Sequence, residues 1–364
     1  MITNIPKNIA LPRKSNLELC RIICMLLIIA HHCVVHGGAI NMEICENRII
    51  SLFLLPGGKL CFDAFLALST WFLVEQKFKA IRFCKIWSEV FFYSVLFAGI
   101  SLLIVPELTK KDFLSSFLPI TGNSHGFASA YLALYLLLPF LSKITANLTK
   151  FQTKILITIL IYFEIGTQII GLYNNYYQHL YSELLLFILC YFIAFYLKYW
   201  PLKYQTKKLI TGGIFLITWL LLFMLRILRI IYPDNYPIAF LNDISGDESS
   251  ILNLIGGYSL FLFFNSIQIP TNKIINYIAK TTFGILLIHD HNFFRAPLWN
   301  RIVNAPDWYY DNYFVFDILI TVILIFIICM IIDLIRIHLL ERPIFKWKIM
   351  LNICGKIDRK INSE

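Results

Sequence analysis

A small set of ionisable residues sits in apolar sequence near the start of the chain: Glu18, Arg21, His31, His32 and His36. Charged or titratable groups inside apolar spans are costly, so each is a functional candidate by default. Arg21 and His32 are eleven residues apart. At 100° per residue they return to within about 20° of one face, roughly 16 Å apart along a helix axis. His36 lies a further turn along that face, whereas His31 points about 80° away. A guanidinium at one mouth of a helix bundle suits a phosphate-bearing ligand, and an imidazole deeper in suits proton transfer. The plainer reading is an arginine that snorkels to the interface and a histidine satisfied by a neighbouring helix.

Further groups recur along the chain. Asp63 calls for a partner and has two candidates: it could orient His32, or pair with Lys59 one turn earlier. Lys79, Arg82 and Lys85 form a basic repeat after the second apolar run, fit either to bind phosphates or to fix topology. Tyr131 and Tyr135, four apart, share a helix face and could reach one cavity or simply pack with bonded hydroxyls. His289, Asp290 and His291 look at first like a metal cluster. Consecutive helical positions diverge by 100°, however, so no metal site is expected there, and His289 and Asp290 read better as groups lining a passage or an interface. Arg226 and Arg229, with Asp243, Asp247 and Glu248 beyond them, suit an acceptor site or, preferably, a structural charge network.

The elements that position these groups are membrane helices. Of 364 residues, 58% are hydrophobic and 15% charged, which leaves too much apolar surface for a soluble domain of this size. Apolar windows centred near Ile28, Leu68, Leu96, Leu134, Ile159, Ile188, Leu220, Leu260, Leu286 and Ile325 predict an all-α, polytopic bundle of about ten transmembrane helices. The ninth is short and interrupted by Lys280. About 22 of the 32 basic residues flank alternate breaks on one side and about six the other, which places both termini in the cytoplasm. The reading is one domain, with an N-terminal segment 1–15, a helical bundle 16–340 and a basic tail 341–364.

The net charge of +10 is thus explained by topology, and no nucleic-acid partner is expected. No segment between helices is long enough for a soluble catalytic domain, so any chemistry must occur within the bundle or its short loops. The nine cysteines show no CxxC pair; Cys45 and Cys61 are candidates for an outward-facing disulfide. Tyr173, Tyr176, Tyr177 and Tyr181 around His179, and Trp308, Tyr309, Tyr310 and Tyr313, suit an aromatic belt or a platform for sugar rings.

Four segments together resemble the integral-membrane acyltransferase family, type three. RIICMLLIIAHH (Arg21 to His32) resembles its first-helix signature, and GKLCFDAFLALSTWFL (Gly58 to Leu73) its second-helix pattern. HGFASAYLALYLLLPFL (His125 to Leu141) resembles its tyrosine-rich fourth helix, and TTFGILLIHDHNFF (Thr281 to Phe294) its ninth. Gly126, Thr70 and Leu286 depart from the pattern. The resemblance implies an O-acyltransferase in a bacterial cytoplasmic membrane, moving an acetyl group from acetyl-coenzyme A to a hydroxyl of a cell-surface or lipid-linked carbohydrate, with no permanently bound cofactor. Together with the residues themselves it makes His32 (general base or transient acyl acceptor), Arg21 and Asp63 the catalytic candidates, and Arg21, Lys79, Arg82 and Lys85 the candidates for holding the donor. Tyr131, Tyr135, His36, His289 and Asp290 fall to the acceptor. The rival readings are a carrier or flippase of lipid-linked sugars, which predicts inverted repeats that are not seen, and a glycan polymerase, which ordinarily carries a longer outward loop.

Overall fold

A computed structural model of the protein describes residues 14–105, 108–120, 125–166 and 183–362. Lys7, Arg13 and the tyrosines around His179 lie outside them. The described chain contains no strand; it is a set of packed helices. In chain order these are α1 (Ser15–Val35), α2 (Glu46–Leu54), α3 (Pro56–Leu73), α4 (Ala80–Ile104), α5 (Lys110–Ser115), α6 (Gly126–Asn147) and α7 (Lys150–Ile161). Then come α8 (Glu183–Tyr199), α9 (Lys208–Ile231), α10 (Tyr236–Ile244), α11 (Ile251–Ser266), α12 (Lys273–Ile278), α13 (Thr282–His289), α14 (Phe314–Arg336) and α15 (Lys348–Asn362).

Each of the ten apolar windows is centred within a helix, but among the described residues six helical stretches are long and apolar enough to cross a membrane: Ser15–Val35, Glu46–Leu73, Ala80–Ile104, Gly126–Asn147, Lys208–Ile231 and Phe314–Ile344. Lys280 falls in a 3-10 turn that splits the ninth window into α12 and α13. Pro56, which has no N–H to give the preceding turn, marks the boundary of α2 and α3 within one long helical run.

Bilayer-type packing is visible in where the apolar side chains go. On α14, Phe316, Leu319, Ile320, Ile323 and Leu324 are exposed, and α9 exposes Leu216, Ile217 and Leu220. A water-soluble fold does not leave such stripes uncovered. Inside, α3 runs through the middle against α1, α8 and α11. A Cβ at Gly257 would overlap Asp63 and the Leu60 carbonyl, and one at Gly256 would overlap Leu60. The Gly256–Gly257 pair therefore lets α11 lie directly on α3, the small-residue contact that membrane helices use.

Candidate functional site

α1 carries Met25, Ile28, His32 and His36 on one stripe, and all four line a cavity of about 650 Å³. The rest of the wall comes from the matching ends of other helices. It includes Pro56, Gly58 and Lys59 of α3, His125 to Ala128 at the start of α6, Glu183 of α8, Arg226 of α9, Glu248, Asn253 and Asp290. Arg295 completes it. A cavity of this size accommodates a small ligand such as one or two sugar rings.

His31, set off the stripe, is fixed: its Nδ1–H donates to the Leu55 carbonyl at 2.7 Å, and Gly58 leaves the space its ring occupies. His32 is different. Its Nδ1 is buried without a hydrogen bond and stands 3.8 Å from Asp290 Oδ1, which Arg295 holds at 3.2 Å. The His32 ring is 4.9 Å from that of His36 and 5.2 Å from that of His289.

The three consecutive residues at the end of α13 diverge. His289 lies behind His32 and outside the cavity wall; its Nδ1–H donates to the Ile285 carbonyl, while Trp299 donates to the His289 carbonyl. Asp290 turns to His32 and Arg295, and His291 packs edge-on against His125 at 4.9 Å. A different trio, His32, His36 and Asp290, brings three potential ligand atoms within 4.8 Å of one another. A dication there would compete with Arg295 for the only carboxylate, so the set is better built to carry a proton than a metal.

Asp63 does neither of the things its position suggested. It is fully buried beneath Gly257, with no hydrogen bond to either carboxylate oxygen, and it is absent from the cavity wall. Lys59 pairs instead with Glu248 at 2.5 Å across the cavity mouth. Arg226 donates to the backbone and side-chain oxygens of Asn242, while Arg229 bonds the Pro233 carbonyl away from the cavity. Asp247 is occupied by Ser249 in its own turn. Of the charged groups on and beyond α9, Arg226 and Glu248 thus reach the cavity.

Arg21 lies one turn further along the α1 stripe, beyond Met25. Its guanidinium contacts Glu18 at 3.1 Å and lies 5.8 Å from the Phe72 ring, and it does not line the cavity. A second cation approaches from another side. Arg82 lies 3.4 Å from the Tyr131 hydroxyl and over the Tyr135 ring, and the Lys79 N–H donates to the Tyr135 hydroxyl at 3.1 Å. Tyr131 is one turn from Phe127, which is in the cavity wall. The two tyrosines therefore belong with the basic repeat, not with the cavity residues they were expected to join.

Sequence reasoning missed three features. Asn253 spends its amide N–H groups on the Ser245 and Asp247 carbonyls and keeps Oδ1 unpaired beside the cavity. Trp299 is fully buried and edge-on to His32. Arg336 is buried and holds Asp333, Glu89 and Glu341 at 2.8, 3.0 and 3.2 Å, tying α14 to α4. Only the last had a signal, an Asp and an Arg three apart within an apolar helix. All nine cysteines are free, and Cys45 meets the Tyr309 hydroxyl, so there is no Cys45–Cys61 disulfide.

A family model described as an acyltransferase domain matches residues 14–335, nearly the whole chain. No curated protein and no solved structure matches.

Proposed function

The chain belongs to acyltransferase family 3, and from that premise we propose that it moves an acetyl group from cytoplasmic acetyl-coenzyme A to a hydroxyl of a cell-surface or lipid-linked carbohydrate. The observation that carries this reading is His32: an imidazole without a hydrogen bond on Nδ1, facing a carboxylate, in the wall of a cavity of about 650 Å³. Ten spans with both termini in the cytoplasm, the arrangement favoured by the basic flanks, turn the cavity outward and the Lys79–Lys85 repeat inward.

In this reading the donor phosphates rest on Lys79, Arg82 and Lys85, with Arg21 as a fourth cation on the α1 side. The thin acylated arm runs along α6 past Tyr131 toward His32. His32 takes the proton of the acceptor hydroxyl, and Asp290 steadies the imidazolium through Nδ1–H. The hydroxyl oxygen bonds the acyl carbon as the carbon–sulfur bond breaks, and the coenzyme A thiolate recovers the proton from His32. His36, Asn253 Oδ1 and the Lys59–Glu248 pair are placed to hold sugar hydroxyls. The cavity wall holds three cations (Lys59, Arg226 and Arg295) and three carboxylates (Glu183, Glu248 and Asp290), a balance that suits a neutral or zwitterionic sugar better than a polyanion.

The test compares cells producing the native chain with cells producing His32→Ala, at equal membrane levels, by mass spectrometry of surface glycans. Loss of an acetyl mass in the variant supports the reading. An unchanged glycan profile contradicts it and favours a carrier.

A further inference from the structure

α4 begins without a cap of its own. Lys79 occupies the N-cap position in extended conformation (φ −134°, ψ 113°) and makes no side-chain cap bond; an ammonium has no lone pair to offer an amide. The missing acceptor comes from the far end of the chain. Asp358 on α15 takes the Ala80 N–H at 2.6 Å, and Asn362 Nδ2 donates to the Phe78 carbonyl at 3.2 Å. Cys354 is buried where α15 packs on α4. Just before α15, Glu341 lies 3.6 Å from Lys85 and the Phe345 ring takes the same ammonium at 5.6 Å. These five tail residues all follow residue 335, where the family match ends.

We propose that residues 341–362 are a brace that holds Lys79, Arg82 and Lys85 in donor-binding geometry, with Asp358 as its positioning residue. The proposal rests on the reading of those three cations as the donor-phosphate site. Three long, flexible cations bind a polyphosphate well only if the backbone carrying them is fixed, because ordering them on binding otherwise subtracts from affinity. The capped first turn of α4 supplies that fixed backbone. Charge alone predicts the opposite effect: removing a carboxylate beside a basic loop should tighten an anionic ligand. The sign of the change therefore separates a brace from a plug.

The experiment is acetyl-coenzyme A binding to the purified full-length chain in detergent, by titration calorimetry, with thermal unfolding run in parallel. Asp358→Ala is expected to weaken binding roughly three- to tenfold, Asp358→Asn, whose Oδ1 can still accept the Ala80 N–H, to restore most of it, and Asn362→Ala to weaken it less. Equal or tighter binding by Asp358→Ala overturns the brace while leaving the donor site standing. If that variant does not fold, Asn362→Ala decides: unchanged affinity there also overturns it. A native chain that binds no acetyl-coenzyme A overturns the donor reading, and the brace with it.

Discussion

The cavity end and the basic loop treat charge in opposite ways. Around the cavity, cations are neutralised: Lys59 by Glu248 and Arg295 by Asp290, while Arg226 is spent on Asn242. At the basic repeat, where α4 begins, Arg82 rests on tyrosines, and among the described residues neither it nor Lys79 has a carboxylate within ion-pair distance, whereas Lys85 meets Glu341. A guanidinium on an aromatic ring keeps most of its donors free for an incoming anion. Under the proposed function the difference gives the two regions separate tasks: the basic repeat attracts a charged donor, while the cavity positions a sugar and moves one proton.

That division predicts which kinetic constant each substitution moves. Among substitutions that leave His32 in place, Asp290→Asn should have the largest effect, lowering kcat roughly 10- to 100-fold while leaving the donor KM unchanged, because it removes the partner of the imidazolium. Arg82→Gln should do the reverse. Its donor KM is expected to rise roughly tenfold with kcat kept, in a steady-state assay with acetyl-coenzyme A varied. Both variants moving the same constant would break the contrast. The smallest effect is expected at Gly126, where an added Cβ would overlap the Glu183 carboxylate. Gly126→Ala should raise the acceptor KM roughly threefold and leave the donor KM alone, which would place Glu183 on the acceptor side.

Much of this architecture is legible in apolar runs and charge. Each of the ten apolar windows finds a helix, six helical stretches among the described residues are long and apolar enough to span, and Lys280 interrupts the ninth window, because desolvation of side chains acts residue by residue and needs no knowledge of partners. Helical periodicity likewise puts Arg21, His32 and His36 on one stripe, of which His32 and His36 line the cavity while Arg21 lies beyond it. What fails is whatever depends on which helix neighbours which. Tyr131 and Tyr135 share a face as their spacing requires, but that face meets the Arg82 loop. Lys59 is one turn from Asp63, yet it reaches across to Glu248, a partner almost two hundred residues away. The tail reads as a run of basic residues, and nothing local shows that its Asp358 caps a helix that starts at Ala80.

The central claim, that His32 moves the proton while a separate basic site holds the donor, is tested most directly on one variant. Purified His32→Gln should bind acetyl-coenzyme A with an affinity within about twofold of the native chain. It should transfer radiolabelled acetyl to membrane glycan roughly 100- to 10,000-fold more slowly. Transfer at the native rate, or loss of donor binding together with transfer, would contradict the account.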